Sequence, residues 1–148
     1  MLFLKLIEKI PFFRRFSPEH KRMLAESASF FVHFKRGDCL IREGSVDSTL
    51  FIVVRGSVIV TRDSLPGRTL LTLPTGSVIG EISFLTDRAR TSNIIANEET
   101  TCFAIDRAAL EEMEFAIQLQ FKDELIGILI EHLDRTSTAL VDSSSKTD

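Results

Sequence analysis

Residues 50–60 read Leu-Phe-Ile-Val-Val-Arg-Gly-Ser-Val-Ile-Val. Two apolar runs, Leu50–Val54 and Val58–Val60, stand on either side of a short connection that contains Gly56. Val, Ile and Phe are enriched in β-strands, and a glycine between two such runs is typical of a tight turn. This stretch therefore predicts two β-strands joined as a hairpin.

Short apolar runs alternate with turn residues on both sides of this stretch, from Val32 to Asp106. The further runs are Cys39–Ile41, Leu70–Leu73, Val78–Ile79, Ile94–Ala96 and Cys102–Ile105. Turn residues separate them at positions 36–38, 43–45, 66–67 and 74–76. Seven or eight strands at a spacing of about 8–12 residues indicate a β-sandwich or β-barrel. The sequence thus predicts a mainly β fold.

Helices are expected at both ends of the chain. Residues 2–10 have amphipathic spacing, and Ser17 is suited to N-cap a second helix that begins at Pro18. After Asp106, another N-cap candidate, helical spacing continues to Leu133. On this last helix the apolar positions cover an arc of roughly 220°, whereas one buried face needs about 100°. We therefore expect it to contact its own domain and the same helix of a second copy.

The organisation along the chain predicts four segments. They are an N-terminal helical segment (1–34), a β-roll with a ligand-binding cassette (35–106), C-terminal helices (107–140) and a disordered tail or linker (141–148). The tail is predicted because its sequence, VDSSSKTD, is polar and rich in serine.

Composition excludes several functional classes. The 148 residues carry 18 basic and 21 acidic side chains, and this near-balance argues against a protein that coats nucleic acid. No apolar run reaches the ~18 residues of a membrane-spanning helix. The two cysteines, Cys39 and Cys102, fit no metal spacing and are expected to be buried in a reduced, cytoplasmic setting. We expect neither DNA nor a membrane as a partner.

Motifs for catalysis are absent from the sequence. The three histidines, His20, His33 and His132, are far apart, and no nucleophile elbow, P-loop or dinucleotide fingerprint occurs. We therefore predict that the chain is not an enzyme and has no metal and no catalytic cofactor.

One segment outside the strands carries ligand-binding chemistry. Residues 80–92 read GEISFLTDRARTS. Gly80 permits a close backbone approach, Glu81 can accept hydrogen bonds from a diol, and Arg90 can pair with a phosphate through its planar fork. A carboxylate for sugar hydroxyls together with a guanidinium for phosphate indicates a nucleotide pocket. On the bare pattern, a surface turn with a Glu–Arg ion pair remains the alternative.

Three glycine-containing motifs accompany this segment. They are residues 36–44 (RGDCLIREG), 50–58 (LFIVVRGSV) and 74–81 (PTGSVIGE). With them the chain resembles the cyclic nucleotide-binding domain family. The resemblance implies an eight-stranded jelly-roll β-barrel with N-terminal helices and a C-terminal helix that acts as a lid or dimer helix. On that helix, Leu125, Ile128, Leu129 and His132 are candidates to cap the base.

The resemblance also implies a set of ligand-binding residues. The family's cassette glutamate holds the ribose 2′-hydroxyl and matches Glu81, and its arginine holds the cyclic phosphate and matches Arg90 rather than Arg88. The predicted ligand-binding residues are Gly80, Glu81, Ile82, Ser83, Arg90, Thr91 and Ser92. Ala89 stands where the family often has proline. Thr91 is common in members that accept cGMP but also occurs in those that prefer cAMP, so cAMP is the expected ligand and cGMP the alternative.

The functional hypothesis is a cyclic nucleotide sensor or regulatory domain that signals through the C-terminal helix to a dimer mate, an effector domain or a partner protein. An interaction scaffold with the same fold and no ligand is the alternative. A DNA-binding regulator of the catabolite-activator type resembles the chain only in its sensor half, because no helix-turn-helix follows the strands.

Overall fold

A computed structural model describes the backbone of residues 2–146 and the side chains of residues 2–134. The elements in chain order are α1 (Leu2–Glu8), α2 (Pro18–Glu26), β1 (Phe31–Phe34), β2 (Cys39–Ile41), β3 (Thr49–Arg55), β4 (Val58–Thr61), β5 (Leu71–Leu73), β6 (Val78–Ile79), α3 (Glu81–Thr86), β7 (Asn93–Ala96), β8 (Thr100–Asp106), α4 (Arg107–Glu111) and α5 (Phe115–Lys146). Single 3₁₀ turns at Pro11–Phe13 and Ala28–Phe30 flank α2. The mainly β fold with helices at both ends is therefore confirmed.

The eight strands form two antiparallel sheets of four strands. Their orders are β1-β8-β3-β6 and β2-β7-β4-β5. Non-consecutive strands are neighbours in both sheets, which is the arrangement of a jelly roll. One core cluster draws buried side chains from both sheets: Ile41, Phe51, Val53, Val58, Ile79, Ile94 and Cys102. The sheets therefore face each other across this cluster.

The predicted hairpin between β3 and β4 is wrong. Strand β3 pairs with β8 and β6 in one sheet, and β4 pairs with β7 and β5 in the other. Gly56, between them, has a φ of 100°, and a Cβ added there would lie 2.6 Å from the carbonyl oxygen of Glu99. The chain thus crosses between sheets at a glycine that no other residue can replace without strain. Two apolar runs on either side of a glycine occur both in a hairpin and in this crossing between sheets, so the local sequence does not distinguish them.

The N-terminal helices cover the outer face of the first sheet. The Ser17 hydroxyl accepts a hydrogen bond from the His20 N–H at 3.1 Å, which confirms Ser17 as the N-cap of α2. Phe103 on β8 is fully buried, and its ring lies 5.3 Å from that of Phe13. Strand β1 begins at Phe31 and pairs with β8, although the sequence analysis gave residues 1–34 to helices. The Phe31 ring packs edge-on against the Phe103 ring, and this contact favours a strand rather than a helix at the start of β1.

The chain divides into two compact units, residues 1–113 and 114–148. In the first, Asp106 N-caps α4 as predicted, since its carboxylate accepts from the Ala109 N–H at 2.7 Å. In the second, α5 continues as helix to Lys146, into the segment that was expected to be a disordered tail. No glycine or proline follows Gly127, so nothing in the sequence breaks the helix. Residues 147 and 148 lie outside the described residues.

The two cysteines differ in environment. Cys102 is buried between the sheets, and burial raises the pKa of its thiol to about 12. Cys39, by contrast, is exposed on β2, so the expectation that it is buried is wrong. As the first residue of a three-residue strand at the edge of its sheet, it lies beyond the core cluster.

Candidate ligand-binding site

A cleft opens where β6, α3, the loop after α3 and β7 meet. Its apolar wall comes from Ile41, Ile79 and Ile94. The rest of its lining includes all of the predicted ligand-binding residues: Gly80, Glu81, Ile82, Ser83, Arg90, Thr91 and Ser92. The cleft thus brings together two short stretches of the chain, residues 80–83 and 90–92, beside its apolar wall. Arg88, the competing arginine, is exposed and is not among the residues that line the cleft.

The loop that carries Arg90 is folded back onto α3 by its own hydrogen bonds. Ser83 is buried, and its hydroxyl donates to the carbonyl oxygen of Arg88 at 2.7 Å. Asp87 ends α3 in a left-handed conformation, and its N–H donates to the Ser83 carbonyl at 3.1 Å. This reversal returns the chain to Gly80, the residue that precedes α3 and lies ten positions before Arg90. The Ser83 side chain therefore helps to hold the loop that carries Arg90.

The Arg90 guanidinium is buried, with only 5 % of the residue exposed, and is fixed on three sides. Its Nη2 donates to Asp47 Oδ1 and to the Thr49 carbonyl, both at 2.6 Å, and Nη1 donates to the Gly80 carbonyl at 3.1 Å. Nε reaches Asp47 Oδ2 at 3.4 Å. Because arginine has five N–H donors, these bonds leave one for an anion in the cleft.

Gly80 is required by the position of Arg90. It has a φ of 86°, and a Cβ added there would collide with Arg90 Nη1 and lie 3.0 Å from the Thr49 carbonyl oxygen. The backbone therefore adopts a conformation that favours glycine at a point where any side chain would displace the guanidinium. Glu81 follows Gly80 directly, on the first turn of α3, and it lines the same cleft as Arg90.

Asp47 is a site residue that the sequence analysis missed. The Arg90 guanidinium holds the pKa of this exposed carboxyl below its usual range, mainly through their hydrogen bond, while partial burial opposes the shift. Asp47 is therefore charged at neutral pH, and it pairs with the buried guanidinium of Arg90. Asp47 lies in the loop between β2 and β3, where nothing distinguishes it locally from the other acidic residues.

The residues that the structure describes include neither a metal-binding cluster nor a membrane-spanning helix. No cluster of His, Cys, Asp or Glu there is large enough to hold a metal ion. Among the same residues, no helix combines the length and the apolar character needed to cross a bilayer. The candidate cap positions Leu125, Ile128, Leu129 and His132 lie on α5 in the second unit and stay predictions.

A jelly roll with a glutamate and a buried arginine in one cleft is suited to hold a small anionic ligand. The family model described as cyclic nucleotide-binding domain matches residues 31–115, and the chain belongs to this family. Domains of this family are regulatory, and among the relatives they occur both in a kinase regulatory subunit and in cGMP-dependent protein kinases.

Curated relatives and solved structures agree with this assignment. The cAMP-dependent protein kinase regulatory subunit of Dictyostelium discoideum is 29% identical over 111 residues, which are 72% of this chain and 34% of the relative. Human cGMP-dependent protein kinase 2 is 38% identical over 85 residues, 54% of this chain and 11% of the kinase. The chain thus spans about a third or less of these relatives.

Among solved structures, a cyclic nucleotide-binding domain from Methylobacillus flagellatus KT superposes with a TM-score of 0.74 at 23% identity, covering 95% of this chain and 82% of that one. The Thermus thermophilus catabolite activator protein superposes with a TM-score of 0.72 at 26% identity, covering 90% of this chain and 63% of that one. The expected jelly-roll fold is thereby confirmed.

Proposed function

We propose that the chain is a cAMP sensor that binds the nucleotide in the cleft and signals through α5 to a dimer mate, an effector domain or a partner protein. The observation that carries this proposal is the buried, fully oriented Arg90 guanidinium beside Gly80 and Glu81. A charge held in this way costs desolvation free energy, and an anionic ligand that accepts its remaining N–H offsets part of that cost. We also place this function in the cytoplasm, because both cysteines are free thiols.

The phosphate and the ribose of a cyclic nucleotide each have a matching group in the cleft. The cyclic phosphate is assigned to Arg90, with the Thr91 and Ser92 hydroxyls beside it. The ribose 2′-hydroxyl is assigned to the Glu81 carboxylate, and the backbone amides of Ile82 and Ser83 face the sugar-phosphate. The apolar wall of Ile41, Ile79 and Ile94 excludes water from one side of the ligand.

The choice between cAMP and cGMP depends on the base. Thr91 is exposed at the cleft and can offer its hydroxyl to a guanine. The curated relatives include the regulatory subunit of a cAMP-dependent protein kinase and a cGMP-dependent protein kinase. We propose cAMP as the preferred ligand and cGMP as the alternative. Titration with each nucleotide compares the two affinities.

Glu81→Gln tests the ribose assignment. We expect this variant to bind cAMP more weakly by about 1.5–3 kcal/mol, the usual contribution of a hydrogen bond to a charged group. Calorimetry on wild type and variant with cAMP and with 2′-deoxy-cAMP measures the effect. The deoxy ligand serves as the control, because it lacks the hydroxyl and should bind the two proteins with similar affinity. Equal weakening of both ligands would show that Glu81 does not contact the ribose.

A second copy of the chain is proposed to cover the exposed apolar face of α5. Leu119, Ile126 and Leu133 are exposed by 46%, 53% and 67%, and they recur every seven residues. A sevenfold apolar repeat is the pattern of a helix that pairs with another helix. Residues Ile117, Phe121 and Leu125, on a different face of α5, are fully buried. The two apolar surfaces expected from the sequence are thus both present.

The double substitution Ile126→Glu and Leu133→Glu is expected to convert the dimer into a monomer, since it places like charges at the paired positions. Light scattering coupled to gel filtration measures the molar mass. Glu131→Lys is the matched control, because it changes an exposed charge on another face of the same helix. A double variant that keeps the wild-type mass, or a wild type that is monomeric at high concentration, would refute the dimer.

A further inference from the structure

An ion pair outside the cleft holds the C-terminal end of α3. Asp87, which ends this helix, has a φ of 60°. Among the residues that the structure describes, it is the one non-glycine residue with a positive φ. A side chain makes the left-handed conformation unfavourable, so an interaction elsewhere must compensate for it.

Arg107 provides that interaction. Its Nη2 and Nη1 donate to the two carboxylate oxygens of Asp87 at 2.6 and 3.0 Å, which is a bidentate pair. Its Nε donates to the Phe84 carbonyl at 2.9 Å, and Nη2 also lies 3.4 Å from the Ser83 carbonyl. One guanidinium therefore binds both the capping residue and the last backbone acceptors of α3. Neither Asp87 nor Arg107 is among the residues that line the cleft.

The six-residue α3 is thus held at both ends by arginines. Arg90 binds the Gly80 carbonyl before the helix, and Arg107 binds the Phe84 carbonyl near its end. A helix this short has little stability of its own, because it forms few internal hydrogen bonds. Its position therefore depends on these two attachments.

Both arginines are connected to the same position of the first sheet, where Thr49 on β3 lies opposite Asp106 on β8. The Thr49 carbonyl accepts from Arg90, and Thr49 lies opposite Asp106 in the β3–β8 pairing. Asp106 directly precedes Arg107 in the chain. The two arginines are therefore anchored to neighbouring positions of one antiparallel ladder, which fixes the start of α3 relative to its end.

We infer that the Asp87–Arg107 pair, called the clamp below, is a positioning device for the ligand-binding cleft. By fixing α3, the clamp sets the position of Glu81 relative to Arg90, the two groups assigned to opposite ends of the sugar-phosphate. This inference rests on the proposed function, because it gives the clamp an effect on nucleotide affinity without any contact with the nucleotide.

The clamp is tested with Arg107→Ala and with Asp87→Asn, which removes the carboxylate while asparagine still tolerates the left-handed conformation. We expect each variant to bind cAMP about tenfold more weakly than wild type. The double variant should lose no more than the Arg107→Ala variant, because Arg107→Ala already breaks the pair that Asp87→Asn weakens. Hydrogen exchange of the ligand-free protein should be faster at residues 82–87 in each variant, which is a readout of α3 independent of the ligand.

Arg88→Ala is the matched control, since it removes an exposed positive charge from the same loop without touching Asp87. It should bind cAMP with wild-type affinity. Clamp variants that bind like wild type, or losses that add up in the double variant, would overturn the inference while leaving the proposed function intact. A wild-type protein that binds neither cAMP nor cGMP would instead overturn the proposed function, and the effect on affinity assigned to the clamp would be lost with it.

Discussion

Replacing Arg90 with alanine is expected to weaken cAMP binding by about 2–5 kcal/mol, the usual effect of truncating one partner of a buried charge pair. Two causes act in the same direction. The ligand phosphate loses its counter-charge, and the carboxylate of Asp47, freed from its partner at 2.6 Å, remains near the cleft as a negative charge. Calorimetric titration, or displacement of a fluorescent cyclic nucleotide, measures the change.

Two further variants separate these causes. In a protein with Arg90→Ala and Asp47→Asn, the repulsion from Asp47 is gone, so part of the lost affinity should return. Arg90→Lys keeps the charge but not the planar fork that reaches Asp47, Thr49 and Gly80 together, so its affinity should lie between those of wild type and Arg90→Ala. If Arg90→Ala binds cAMP normally while Arg88→Ala does not, the assignment of the phosphate to Arg90 is wrong.

Replacing Phe103 with alanine is expected to lower the free energy of unfolding by about 3–5 kcal/mol. The ring is fully buried, and it lies within 5.6 Å of the rings of Phe13, Phe30 and Phe31. These neighbours come from separate elements anchored by their own contacts, so the cavity cannot collapse fully. Urea unfolding followed by circular dichroism gives the free energy, and the melting temperature should fall by roughly 6–20 °C for a chain of this length.

Leu71→Ala is the control for this loss of stability. Leu71 lies on the edge strand β5 and is 55% exposed, so its truncation should change the free energy of unfolding by no more than about 0.5 kcal/mol. A Phe103→Ala protein that is as stable as Leu71→Ala would contradict the packing of the N-terminal helices on the first sheet.

Local signals predicted much of this molecule. The caps at Ser17 and Asp106 are set by hydrogen bonds to residues only three positions away. The strands follow from short apolar runs between turns, and the ligand-binding cassette lies within thirteen consecutive residues. The caps and the strand positions follow from spacing alone, whereas residues 80–92 were assigned to a nucleotide through the resemblance to the family.

The features that the sequence did not predict depend on contacts between distant residues. Asp47 meets Arg90 across 43 positions, and Asp87 meets Arg107 across 20. Such pairs are brought together by the strand order, which the local pattern does not specify. The same reason explains why the connection at Gly56 was interpreted as a hairpin, since the pairing partners of β3 and β4 lie elsewhere in the chain.

Calorimetric titration of the nucleotide-free wild-type protein with cAMP, and then with cGMP, shows most directly whether the protein binds a cyclic nucleotide. The preparation is first checked for nucleotide retained from expression, because a filled cleft would mask binding. We expect one site per chain with micromolar or tighter affinity for cAMP and weaker binding of cGMP. A folded, nucleotide-free protein that binds neither ligand would contradict this expectation and would favour a scaffold that keeps the fold without the ligand.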